Sequence, residues 1–73
     1  MNLSELTPGS TAIIDSFSDN DLSLKLMEMG CLPGEKVVIE NIAPFGDPLA
    51  IRISGYKLSL RVSEAAAIKV VLP

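Results

Sequence analysis

Seventy-three residues make one small domain with a marginal core, and the single cysteine, Cys31, leaves no internal disulfide to reinforce it. There is no histidine, the commonest general base and transition-metal ligand, and no P-loop or dinucleotide fingerprint, so the composition speaks against an enzyme. A net charge of −3 lacks the clustered Lys and Arg that nucleic acid demands, and no apolar stretch approaches the ~20 residues of a membrane span.

The N-terminus, Met1 to Glu5, has neither a basic region nor an apolar run, so no signal peptide is expected. The free cysteine favours a reducing compartment. Leu6-Thr7-Pro8-Gly9 reads as a turn into a first strand, Thr11 to Phe17. Adjacent Ile13 and Ile14 leave the inward face of that strand ambiguous. Ser18-Asp19-Asn20-Asp21 reads as a helix start, with Ser18 as the cap and Asp21 in the capping-box position. The helix is predicted from about Asp19 to Met29. Gly30 is its C-terminal stop, and Pro33 prevents resumption.

This helix holds more apolar residues than one face needs. Leu22, Leu26 and Met29 form a stripe that can dock on a sheet, while Leu24 and Met27 fall roughly opposite. After the Pro33-Gly34 turn, Glu35 to Ala43 is a strand. Its alternation breaks at Ile42, which predicts a bulge or bend near Asn41.

Leu49 to Val62 is a hairpin with Ser54-Gly55 as a two-residue loop. That loop sets Ile53 opposite Tyr56, Ile51 opposite Leu58 and Leu49 opposite Leu60. A slip of one residue would place every apolar side chain against a polar one. Ser63 to Ala67 allows one capped helical turn. Ile68 to Leu72 is a last strand, with Ile68, Val70 and Leu72 on one face. Five strands, one helix after the first and a helical turn before the last predict a mainly β fold. A small five-stranded SH3-like barrel is the natural packing, with an OB-like barrel as the alternative.

Several groups are candidates for function. At 48% hydrophobic the chain either fills its core well or carries apolar surface in excess of it, which would suit a partner or self-association. Leu24 and Met27, with Cys31 beyond the helix end, are the main candidate for docking a partner; the other reading has the helix wedged between sheet and loops. Arg52, Lys57 and Arg61 form a basic patch on the outer hairpin face. Arg52 opposite Lys57 is unfavourable, and a partner's carboxylate or phosphate would relieve it. Asp15, Asp19 and Asp21 are weak candidates for a hard divalent ion, against the reading in which Asp19 and Asp21 simply cap the helix. Cys31 packs as a small hydrophobe; two Cys31 thiolates meeting across a dimer could instead trap a soft metal. Phe45, in the Pro44 to Pro48 loop, is expected to cap the open end of the barrel or to line a peptide groove. The charge is uneven: eight acidic and two basic residues up to Asp47, one acidic and four basic after it.

Leu6-x-Pro8-Gly9, Lys25-Leu26-x-Glu28-Met29-Gly30-x-x-Pro33-Gly34, Ala43-Pro44-x-Gly46-Asp47-Pro48, Leu60-Arg61-x-x-Glu64-Ala65 and Ile68-x-Val70 together resemble the FeoA family over nearly the whole chain. Lys25, Met29 and Cys31 depart from the family's usual residues. The resemblance implies an SH3-like barrel, 1–73, in the cytoplasm. It also implies work alongside FeoB, a membrane transporter with a cytoplasmic G-protein domain. A similar module occurs in some metal-dependent repressors, but this chain has no DNA-binding segment. The expectation is a non-enzymatic accessory protein of ferrous iron uptake, contacting its partner through Leu24, Lys25, Met27, Glu28, Cys31 and Leu32. It needs no cofactor, although weak binding of a divalent metal such as Fe2+ is allowed for. The alternatives are a small transition-metal carrier or sensor and a generic peptide-binding module.

Overall fold

The computed structural model describes residues 1–73. Five antiparallel strands form one curled sheet: β1 (Thr11–Phe17), β2 (Lys36–Ile42), β3 (Leu49–Ile53), β4 (Tyr56–Leu60) and β5 (Ile68–Val71). Their order across the sheet is β4-β3-β2-β1-β5. Helix α1 (Asn20–Glu28) follows β1, and the short α2 (Val62–Ala66) precedes β5.

Side-chain alternation explains the core. Leu49, Ile51 and Ile53 from β3, Val37 and Ile39 from β2, and Ile68 and Val70 from β5 all point inward and are buried. Leu26 of α1 closes over them, and half-buried Leu22 and Met29 pack beside it. The hairpin has the predicted register, with Ile53 on Tyr56, Ile51 on Leu58 and Leu49 on Leu60. Its turn needs two positive φ angles, supplied by Ser54 (52°) and Gly55 (83°).

Two irregularities bend the sheet. In β2 the pairing to β3 shifts between Ile39 and Asn41, so the predicted bend lies at Glu40. In β1 the pairing to β5 shifts between Ile14 and Ser16. That bulge settles the Ile13–Ile14 ambiguity: Ala12 and Ile14 face the core, and Ile13 lies half-buried on the other side.

Local readings required four corrections. The α1 cap is Asp19, whose carboxylate accepts the Asp21 and Leu22 N–H groups; Ser18 is drawn instead toward the Ala67 carbonyl. A short 3₁₀ turn at Leu3–Glu5, capped by Asn2, was not anticipated, and it buries Leu3 completely. Helix α2 starts one residue before the expected Ser63, with Arg61 at its cap position. Leu72 lies beyond β5 and is exposed, so the inward row of that strand stops at Val70.

Candidate functional site

The outer side of α1 is where apolar surface remains uncovered. Leu24 is 63% exposed, Met27 is half-buried, and Leu32 beyond the helix is 45% exposed. Lys25 and Glu28 are exposed between them. The geometry follows from the 3.6-residue period: with Leu22, Leu26 and Met29 committed to the sheet, Leu24 must face away.

Both ends of this helix are held firmly. Asp19 caps the N-terminus. At the C-terminus the Cys31 N–H donates to the Leu26 carbonyl at 2.9 Å, and Gly30 takes φ 104° to make the turn. The Tyr56 hydroxyl reaches over from β4 to donate to the Met29 carbonyl at 2.9 Å.

Cys31 does not belong to the exposed surface predicted for it. It is fully buried within the core cluster. Burial raises its thiol pKa, and the nearby Glu64 carboxylate raises it further. A buried neutral thiol can neither touch a partner nor meet a second Cys31 across a dimer without unfolding.

Lys25 has a partner that sequence reading missed. Its Nζ lies 2.8 Å from the Glu64 carboxylate, which is almost wholly buried. Glu64 also accepts the Arg61 N–H at 2.9 Å, as the N3 acid of a capping box does. The Lys25 hydrogen bond, followed by the Arg61 N–H, holds the Glu64 pKa below its ordinary value. The signal available in the sequence was Arg61-x-x-Glu64 ahead of Ala65-Ala66-Ala67. The usual Ser or Thr at the cap is missing there, so the acid did not stand out.

The predicted basic patch divides. Arg52 and Lys57 both turn to Glu40 on β2, at 2.8 and 3.3 Å. Their mutual repulsion is therefore relieved within the chain, by a residue on the same face of β2 as Val38, the register partner of Arg52. The Arg52 hydrogen bond, more than that of Lys57, lowers the Glu40 pKa. Arg61 has left the strand: β4 ends at Leu60, and the exposed Arg61 side chain joins none of the three ion pairs.

Asp15, Asp19 and Asp21 do not converge. No group of three His, Cys, Asp or Glu residues is arranged to hold a metal ion. The Asp19 carboxylate is engaged in capping, and Asp15 lies beside the Ser16 hydroxyl. Phe45 is 99% exposed and covers nothing, contrary to its expected place over the barrel end. No helix is long and apolar enough to cross a membrane.

The FeoA domain model matches residues 1–72. The chain belongs to the FeoA family. This FeoA domain is 38% identical, over 99% of its length, to an Fe(2+) transport protein A/Fe(2+) transporter FeoB fusion protein of Porphyromonas gingivalis; it spans 9% of that relative. Among solved structures, an FeoA-like protein from Clostridium acetobutylicum superposes with a TM-score of 0.92 at 38% identity, covering 99% of this chain and 85% of the other. The Stenotrophomonas maltophilia FeoA complexed with zinc, a prokaryotic SH3-domain protein, gives 0.82 at 30% identity, over 97% and 89% of the two chains. The fold is therefore the SH3-like fold of FeoA.

Proposed function

We propose that this FeoA domain is a non-enzymatic accessory of ferrous iron uptake that binds the cytoplasmic part of a FeoB-type transporter. There it would modulate the transporter's nucleotide cycle or its assembly. The observation that carries this reading is the fusion: in the Porphyromonas gingivalis relative the same domain and the transporter share one chain. Fusion keeps two parts at high effective concentration, which serves parts that act together.

The contact surface we assign is the outer side of α1: Leu24, Lys25, Met27 and Glu28, with Leu32 beyond it. Two apolar side chains flanked by charges of both signs suit a helix seated in a partner groove, and Met27 adapts to imperfect surfaces. Cys31 contributes from below, by packing rather than by contact. The reading requires no resident metal and no membrane insertion.

The test is binding of the transporter's soluble cytoplasmic portion to the double variant Leu24→Asp, Met27→Asp. Affinity should fall at least tenfold while the circular dichroism spectrum stays native. Unchanged affinity in a folded double variant would remove this surface.

A further inference from the structure

We infer that the partner surface is bipartite, and that Phe45 and Arg61 form its second half, taking an apolar socket flanked by a carboxylate on the same transporter domain. The identity of the partner rests on the reading above; the surface itself is argued independently.

Phe45 carries a whole aromatic ring into water, yet its loop is braced. The Ala43 N–H donates to the Pro48 carbonyl at 3.0 Å, closing the loop at its base. The Gly46 N–H donates to the Ala43 carbonyl at 2.7 Å, tightening the turn under Phe45. The Val62 N–H donates to the Asp47 carboxylate at 3.1 Å, fastening the loop to the start of α2. An exposed ring on a loop fixed at three points keeps its entropy cost on binding low. Nothing inside the chain needs the ring there, since at 99% exposure it covers no core residue.

Further along the same loop, Asp47 and Pro48 line, with Arg61, an open hollow of about 370 Å³. With Arg52 and Lys57 engaged by Glu40, Arg61 is the cation of the hairpin patch left unpaired. Phe45 and Arg61 are both exposed, Arg61 outside any ion pair, and aromatics and arginine are the residues that dominate interface energetics. A lipid surface offers nothing to fill such a recess, and the net charge of −3 opposes an anionic bilayer.

This second surface is joined to the first by direct contacts. Lys25 of α1 binds Glu64, Glu64 accepts the Arg61 N–H, and the neighbouring Val62 N–H binds Asp47 of the Phe45 loop. The two surfaces are thus linked through the first turn of α2.

The experiment measures affinity for the transporter's soluble cytoplasmic portion by calorimetry, using wild type, Phe45→Ser, Arg61→Glu and the α1 double variant. Phe45→Ser should leave the melting temperature unchanged, because the ring is already in water, and should weaken binding at least tenfold. Arg61→Glu should weaken it comparably and flatten its dependence on salt. If wild type and Phe45→Ser bind equally, the bipartite surface is wrong while the proposed function stands. If wild type does not bind at all, the function and this inference fall together. Flotation with phosphatidylglycerol vesicles is the second arm: Phe45-dependent recruitment to vesicles, without Phe45-dependent binding to the transporter domain, would overturn the assignment in favour of a membrane contact.

Discussion

The Tyr56 hydroxyl donates to the Met29 carbonyl at 2.9 Å, and a Cβ placed on the neighbouring Gly30 would run into that same hydroxyl. One residue of the hairpin thus closes the end of α1 and requires that the next position carry no side chain. Gly30 is needed twice over, for its φ of 104° and for this approach. Gly34 shares only the first need, since its φ is 91° but the space around it is open.

Gly30→Ala should therefore cost more than Gly34→Ala. Left-handed backbone alone accounts for about 1–2 kcal/mol in each, and the clash adds to the first. Tyr56→Phe should lose about 0.5–1.5 kcal/mol, toward the lower end because Tyr56 is 43% exposed. Removing the hydroxyl also removes the atom that the added methyl group would strike. In urea unfolding of the four proteins of the cycle, the two changes should sum to less than additive destabilisation; strict additivity would show that the pair is not coupled.

Glu64 makes stability depend on acid. Its pKa is lowered in the folded protein, first by Lys25 and then by the Arg61 N–H, so the folded state favours the ionised form. The stabilisation is fully present above the ordinary glutamate value of about 4.3. It is lost as pH falls through that value and then through the lower folded-state one. Glu64→Gln should shrink the fall in melting temperature between pH 6 and pH 3. Glu64→Ala should cost about 1–3 kcal/mol at neutral pH, because the Arg61 N–H loses its acceptor.

Cys31 should be slow toward thiol reagents in the native state. Its side chain is enclosed, and burial followed by the Glu64 charge keeps the thiol protonated. Labelling should follow global unfolding, rising in urea along the same curve as circular dichroism. Rapid labelling in buffer would mean that the turn after α1 opens on its own. Cys31→Ser should cost about 1–3 kcal/mol, from placing a hydroxyl among apolar side chains.

Glu40→Gln should bring back the repulsion between Arg52 and Lys57, which lie directly opposite in the register. Stability should fall at low ionic strength, and the difference from wild type should narrow as salt shortens the screening length to about 3 Å at 1 M. A salt-independent difference would mean that Glu40 acts through packing at the bulge.

Much of this fold could be read from local pattern. The Ser54-Gly55 loop between alternating apolar residues admits one register, so the pairs from Leu49 to Leu60 followed without any tertiary information. Gly30 and Pro33 bounded α1, and the apolar positions Leu22, Leu26 and Met29 identified its buried side. The cap was harder. Ser18 and Asp19 are both good caps, and what separates them is the Ala67 carbonyl, which draws Ser18 away from the helix.

Order along the chain, strand phase and turn chemistry were thus within the sequence's reach, because each depends on residues a few positions apart, and family membership followed from motifs spread along the chain. Its surface chemistry was not. Glu40 neutralising Arg52 and Lys57, Glu64 receiving Lys25, Cys31 disappearing into the core and Phe45 standing free of it all depend on which side chains meet after the sheet has curled. Those meetings join residues that periodicity cannot relate, and each changes what remains for a partner to recognise.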